Sequence, residues 1–509
     1  MIPLRSMSSP ATQYDEVRYP GKFYPQASPE RLATLATVYG LQPPPVSDCR
    51  VLELGCGEGG NVIPLACVFP NSTFLGVDLS RTAIDYGNGL ISKLGLKNVE
   101  LRAQDLMDFP ADAGSFDYIL SHGVLSWVPE PVRQQMLEIC SRHLAPRGVA
   151  YISYNTLPGG YLRSYPRDLM RFHTRFISDP GAKTREARNI IDFIVSAIPT
   201  PTLERELLKR EMKPYEGRDS FLYHDLLAEV NDPVYFLDFM DVAARRGLQF
   251  VSESHLFFMR TAHLPEPVRR QLEAMSDRLM REQYLDFINA RRFRQTILCR
   301  AGHDLDLEVT PERMERLLVT SSAMPVRPVT DLRQAETIEF KSPRSPSVTC
   351  SEPIPKAVYL ALGEAYPRGL RFSELRQEVC RRLHMDASAL TPAEDAKMIR
   401  LLISSFANGC VELHVHQFEF CTRISERPVA SAVARLQAEV GDSVVSMNLG
   451  TYSLPDGLLR HLVTLLDGTR DFQGLMIDLS ARLGGSEAVT TENLRKALET
   501  LASYGVLIS

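Results

Sequence analysis

Several features that would place a protein at once are scarce or absent in this sequence. Nine of its 509 residues are cysteine, and none stand in a CxxC pair or at a Cys/His metal-ligand spacing. That removes zinc modules and disulfide frameworks. An odd number of thiols, several inside apolar runs (Cys56, Cys67, Cys140), reads as the reduced, buried cysteines of a cytoplasmic, metal-free protein. No apolar run reaches the length of a spanning helix, and residues 1–13 hold no apolar stretch of the kind a secretory signal needs. A net charge of −5 draws in neither nucleic acid nor an anionic membrane surface.

Apolar residues make up 44% and charged residues 23% of the chain, the balance of a folded protein. The length exceeds what one core fills, so two to four domains are expected. In the first third, β-rich runs alternate with helical stretches. Strands are expected at 50–54, 72–77, 99–103, 116–120 and 148–153, with helices at 61–68, 81–94 and 131–144 between them. Such crossover units build a parallel, doubly wound α/β sheet.

The alternation then stops. Residues 163–223 read as helical, with Ile190, Ile191, Ile194 and Ile198 on one apolar face, and 266–290 read the same way. Between and after them lie 248–252 and 296–300, expected as the sixth and seventh strands of the same sheet. The catalytic domain is therefore placed at 49–305, with helical insertions at 163–223 and 266–290. A proline/serine-rich connector is read from Lys341 to Ser347 and on through Pro353 and Pro355. Helices at 356–364, 372–383 and 392–407, followed by a strand pair at 410–415 and 417–421, suggest a winged-helix-like domain at 306–425. Residues 426–509 read as a mostly helical C-terminal domain.

The chemistry is concentrated in Val51-Leu-Glu-Leu-Gly-Cys-Gly-Glu-Gly-Gly60, a strand running straight into glycines. Glycines let the backbone come close to a ligand and leave amides facing it. Gly55-x-Gly57-x-x-Gly60 also satisfies the dinucleotide fingerprint, with Asp78 near the usual distance. Charge separates the two readings. A pyrophosphate over this turn would be repelled by Glu53, whereas S-adenosylmethionine (SAM) brings a cationic methionine portion. At 4 Å, like and opposite unit charges differ by ~2 kcal/mol even in water. Glu53-x-Gly55-x-Gly57-x-Gly59 is thus the arrangement of a class I SAM-dependent methyltransferase with a Rossmann-like fold, and Cys56 and Asn61 fall within its reach.

Asp78, closing the second strand with Leu79 beside it, can accept both ribose hydroxyls. Asp105 follows the third strand, placed for the adenine amino group or as a cap for the turn that follows; Leu106 and Met107 are candidate ring walls. Ser121-His122-Gly123 ends the fourth strand where the methyl group is expected, so His122 is either a cofactor and catalytic contact or a structural histidine. No Asp/Asn-Pro-Pro-aromatic follows that strand, which argues against planar amino groups of adenine or glutamine as acceptors.

Tyr14-Asp-Glu-Val-Arg-Tyr-Pro20, the glycine motif, Ser121-His-Gly-Val-Leu-Ser-Trp-Val-Pro129, Tyr154-Asn-Thr-Leu-Pro-Gly-Gly-Tyr161 and His224-Asp-Leu-Leu-Ala-Glu-Val-Asn-Asp-Pro-Val-Tyr-Phe236 together resemble bacterial protein lysine methyltransferases. Those enzymes modify surface and outer-membrane proteins. Residues 220–300 look like a methyltransferase regulatory domain, and Leu465-Leu-Asp-Gly-Thr-Arg470 like that family's C-terminal domain. The resemblance implies an N-terminal segment (1–48) over the cofactor, with Tyr14 and Tyr19 touching it, helices that mediate homodimer formation, and a protein substrate.

For a lysine acceptor, Tyr154, Asn155, Trp127 and Tyr161, at or near the carboxyl ends of strands four and five, are the groups expected around the amine. Aromatics there can hold a methylated ammonium. A small-molecule acceptor and a SAM-sensing or nucleic-acid-binding regulator stand as alternatives. The stretch 351–509 carries 16 Lys+Arg against 19 Asp+Glu, an acidic balance that disfavours duplex reading.

Overall fold

The computed structural model describes residues 16–306, 308–329, 331–342, 345–386, 390–421, 423–455, 457–484 and 489–508. Two compact units divide them: 16–22, 50–62 and 73–303 form the first, and 23–49, 63–72 and the described residues after 303 the second.

The first unit is built on a seven-stranded sheet. Its strands are β1 (Arg50–Leu54), β2 (Thr73–Asp78), β3 (Val99–Ala103), β4 (Phe116–Ser121), β5 (Leu144–Asn155), β6 (Leu248–Glu253) and β7 (Phe293–Arg300), in the order β3-β2-β1-β4-β5-β7-β6. β1 to β5 pair parallel, while β7 runs antiparallel to both β5 and β6. Both late strands thus join the sheet as expected. Val51, Leu52 and Leu54 are fully buried, the pattern of a central strand covered on both faces. One face packs Leu52, Leu54, Ile119 and Ile152 against Met136, Phe236, Phe239 and Met240.

The long insertion is helical, as read: Gly160–Thr174, Pro180–Ala197, Leu203–Met212 and Asp219–Leu226. Asp179 caps the second of these, accepting from Ala182 N at 2.7 Å, and Pro180 fills its first position, where no N–H is needed. Ile191 is buried and Ile190 and Ile194 half-buried against Met170, Leu208 and Leu222; Ile198 falls just past the helix end.

Helix Arg278–Asn289 buries polar groups beside its apolar ones. Glu282, Gln283 and Asp286 are buried along with Leu285, while Met280, Tyr284, Phe287 and Ile288 face solvent. The reason is Arg294 on β7, fully buried and needing anions. Its guanidinium meets Asp286 Oδ2 at 2.7 Å, Glu253 Oε1 at 2.8 Å and Glu282 Oε2 at 3.3 Å. Arg291 adds a contact to Glu253 Oε2 at 2.5 Å.

In the second unit, helices Pro353–Ala365, Phe372–Arg382 and Pro392–Ala407 stand where helices were expected. The strand reading needs correcting. Glu412–His414 pairs antiparallel with Leu318–Thr320, and 417–421 is not a strand: Gln417 spends its side chain on Gly369 N, and Cys421 N donates to Leu507 O. On either side of the proline/serine-rich stretch, Ile338–Lys341 pairs antiparallel with Val348–Cys350. Toward the C-terminus, Ala432–Val440, Gly457–Leu465, Phe472–Arg482 and Thr491–Ser503 are helices, and Ser443–Val445 and Thr451–Ser453 add a short hairpin that the helical reading did not include. Among the described residues no helix is long and apolar enough to cross a membrane.

Candidate active site

The turn after β1 is built by three glycines in the left-handed region: Gly55 (φ +73°), Gly57 (φ +52°) and Gly59 (φ +76°). Side chains rarely adopt that conformation. Gly55 N and Cys56 N both donate to Val77 O, at 2.8 and 3.1 Å, which ties the turn to β2. Gly57 N donates to Asp78 Oδ2 at 2.8 Å, and Ser80 N to Asp78 Oδ1 at 2.9 Å.

Glu53 is only 3% exposed. Its Oε1 accepts from Asn61 Nδ2 at 3.2 Å, while Oε2 is buried without a hydrogen-bond partner. Burial pushes its pKa up to about 8; Asp78 adds to the rise, and hydrogen bonds from Asn61 and Val62 offset part of it. A buried, unpartnered carboxylate oxygen calls for a cation. The donor set therefore fits a cofactor with an ammonium at one end and ribose hydroxyls beside Asp78.

Residues 16–22 lie across this turn. Arg18 Nε meets Glu58 Oε1 at 2.5 Å, and Gly21 N donates to Glu58 Oε2 at 3.2 Å. Tyr19 packs edge-on to Phe221 (5.1 Å) and His224 (5.4 Å), and His224 Nε2 bonds Val17 O at 2.8 Å. Gly60 leaves room for the segment: a Cβ there would stand 2.6 Å from Gly21 C and Lys22 N.

Residues 51–148 match the methyltransferase-domain family, 218–300 the family described as a predicted methyltransferase regulatory domain, and 426–503 the PKMT C-terminal winged helix domain. The chain is 35% identical, over 96% of its length and 91% of the relative's, to uncharacterized protein RP789 of Rickettsia prowazekii. A second protein of that organism, RP028, is 37% identical over 47% of this chain and 96% of its own. The structure of PKMT2 from Rickettsia typhi in complex with AdoHcy superposes with a TM-score of 0.86 at 27% identity, covering 96% of this chain and 100% of that one.

The chain belongs to the PKMT family of SAM-dependent methyltransferases.

The methyltransferase gathers most of the residues anticipated for the cofactor: Glu53, Gly55, Cys56, Gly57, Gly59, Asn61 and Asp78 share the glycine turn and its anchors. Leu79, next to Asp78, is 36% exposed. Asp105 is exposed and caps the turn Leu106–Asp108, accepting from Met107 N at 2.9 Å. Leu106 points into the core, leaving Met107 as the exposed apolar group there. Tyr14 lies outside the described residues.

Among the residues expected around the acceptor, His122 Nδ1 and Tyr151 OH are 2.8 Å apart with their rings stacked, and burial pushes the imidazole pKa down to about 3. It is therefore neutral near pH 7. Trp127 is half-buried in the turn Leu125–Trp127. Asn155 N donates to Ser126 Oγ at 2.8 Å and its Nδ2 to Asn231 Oδ1 at 3.0 Å. Tyr161, 58% exposed, meets Tyr235 hydroxyl to hydroxyl at 3.4 Å.

Tyr154 is not with them. Side chains alternate along a strand, so Tyr151 and Ser153 meet the loop after β4 while Tyr154 joins the opposite core face against Phe239. Its hydroxyl is spent on Thr296 Oγ1 at 3.0 Å, and Thr296 in turn donates to Glu253 Oε1.

Sequence reasoning missed Glu58, whose partner Arg18 lies 40 residues away, and Ser153, whose Oγ accepts from Gly123 N at 2.7 Å. Gly60→Ala tests the lid-like segment. The methyl group meets backbone that cannot move alone, a cost of about 1–3 kcal/mol. Calorimetric titration is expected to show SAM affinity at least about fivefold lower; unchanged affinity would separate residues 16–22 from the cofactor site.

Proposed function

We propose that the enzyme methylates lysine side chains of protein acceptors, surface or outer-membrane proteins among them, and that it works in the cytoplasm as a homodimer. What supports a lysine acceptor best is the character of the β4 and β5 ends. They carry Trp127, Asn155 and Tyr161 as well as a neutral, half-buried His122, so the chain offers an aromatic and amide surround rather than a charged base. Support for the dimer comes from Phe172, Phe193 and Leu203 on the inserted helices and Phe176 just past the first of them, all 65% or more exposed. That no disulfide joins the nine cysteines fits a reducing compartment.

For the cofactor, Glu53 would hold the ammonium, Asp78 the ribose hydroxyls and Asp105 the adenine amino group, with Tyr19, Leu79 and Met107 as apolar neighbours. SAM supplies an electrophilic methyl group on a positively charged sulfur. An acceptor amine at its ordinary pKa costs about 4–5 kcal/mol to neutralise at pH 7. A partly desolvated approach past Trp127 and Tyr161 lowers that cost, since burial disfavours the ammonium, and the proton leaves to water. Asn155 orients the amine; Tyr154 positions β5 from behind. Aromatic faces tolerate a methylated ammonium, which permits repeated transfer.

Trp127→Ala and Asn155→Ala are expected to cut transfer to an accepted protein about 10- to 100-fold while SAM affinity stays within about twofold, because positioning is lost and cofactor contacts are not. Turnover unchanged in both variants would remove this side of the sheet from the reaction.

A further inference from the structure

Beside Asn155 the first unit holds a cavity of about 210 Å³. It is lined by Arg163, Arg167 and Arg171, one turn apart on the helix Gly160–Thr174, by Arg292 ahead of β7, and by the Asn231–Asp232 loop. Spacing of four residues puts the three helix arginines on one face.

The charge inside is only partly met, with Asp225 and Glu211 near Arg163. Arg167, 6% exposed, donates only to backbone oxygens, Leu226 O at 2.8 Å and Glu229 O at 3.1 Å. Burial, then the neighbouring Arg171, pulls its pKa down to about 10. Arg292 reaches Glu211 through one terminal nitrogen at 2.5 Å, but its Nε is buried without a partner, as is the Nε of Arg163; the latter lies 4.0 Å from Glu211 Oε2, beyond hydrogen-bond reach. Among the described residues Arg171 forms no ion pair. The acidic lining residues Asp168, Glu229 and Asp232 are exposed, so water screens them, and Asp232 is already paired with Arg133.

Arginine presents Nε and a terminal nitrogen as a planar fork that matches a carboxylate. Arg171, without a counterion, and Arg167, bonded to backbone oxygens alone, give the cavity wall two guanidiniums that no carboxylate neutralises, a lining suited to that group. We propose that this cavity is a carboxylate subsite that reads an acidic residue of the acceptor protein close to the methylated lysine. Asn155 joins the two places: it lines the cavity and, through Ser126, is tied to the turn bearing Trp127. The inference rests on the lysine-acceptor reading above.

The test uses the full-length enzyme at saturating SAM and peptides with one lysine and either Glu or Gln at each offset up to four residues away. The expected result is a KM about tenfold lower for Glu than Gln at one or two offsets, with kcat little changed, and loss of that preference in Arg163→Gln and Arg171→Gln. Arg171→Glu is expected to turn the preference toward a basic flanking residue, a reversal that mere loss of folding does not produce. Glutarate, titrated calorimetrically, is expected to bind the wild type and not the two glutamine variants. Equal KM for Glu and Gln at every offset overturns the proposal, and glutarate binding in that case reassigns the cavity to a free anion. If glutarate binds and no peptide is methylated on lysine, the acceptor reading has failed and the acceptor role of the subsite with it, while the carboxylate chemistry of the cavity stands.

Discussion

Glu53→Gln is expected to weaken SAM binding about 10- to 100-fold while making the cofactor-free protein more stable at alkaline pH. Both effects come from one atom. Oε2 of Glu53 is buried with no partner, so the charged carboxylate is penalised until a cation arrives. A charge-assisted hydrogen bond is worth about 1.5–3 kcal/mol, which sets the loss of affinity.

The pH dependence has a definite sign. Glu53 titrates at about 8 in the folded chain against an ordinary 4.5. Between those values the folded state holds a proton that the unfolded state has lost, so stability is greatest at the acid end and declines as the pH rises, by up to about 1.4 kcal/mol per unit, until about pH 8. Glutamine abolishes this contribution. An ammonium beside Oε2 favours the ionised form, so SAM binding below pH 8 releases a proton from Glu53 and affinity climbs as the pH approaches 8. Calorimetry in two buffers of different ionisation heat measures the proton directly. Binding without proton release at pH 6.5 would show that Glu53 is not the cation's partner.

Arg294→Met is expected to be the most destabilising of the substitutions considered. It leaves Glu253 and Asp286 without the guanidinium that contacts both, at 0% exposure on either side. Burial alone would raise Glu253, yet Arg291 and Arg294 hold it below its ordinary value; Asp286 is pushed up by burial. Removing one partner of a buried ion pair costs about 3–5 kcal/mol. In a unit of this size that lowers Tm by about 6–20 °C, read by differential scanning calorimetry. The loss also loosens Thr296 and Tyr154, so β5 and Asn155 at its end lose their support. A Tm within about 2 °C of wild type would mean that the network contributes nothing net to folding.

Which parts of this were legible follows from how local each signal is. The glycine turn, Glu53 and Asp78 lie within adjoining strands and have a fixed spacing, so residue types alone indicate the ligand. The two late strands announce themselves by β-rich runs after helices. Pairing is different: Glu412–His414 finds Leu318–Thr320, some 90 residues earlier, and nothing in 410–421 says so. The Arg18–Glu58 contact is equally non-local. Tyr154 was a readable case, since neighbours on a strand face opposite sides and Tyr154 and Asn155 cannot both meet the acceptor. Helix Arg278–Asn289 was legible as a helix within 266–290, but not which side it buries, because Glu282 and Asp286 turn inward to answer Arg294 beside Leu285.

The central claim is lysine methylation of a protein by a SAM-dependent enzyme. It is tested most directly by incubating the full-length chain with radiolabelled SAM and a panel of bacterial surface and outer-membrane proteins, then locating the label by mass spectrometry. The account predicts label on lysine Nζ of at least one protein, lost with Glu53→Gln. Label appearing only in the small molecules of an extract, with every protein unmodified, would contradict it.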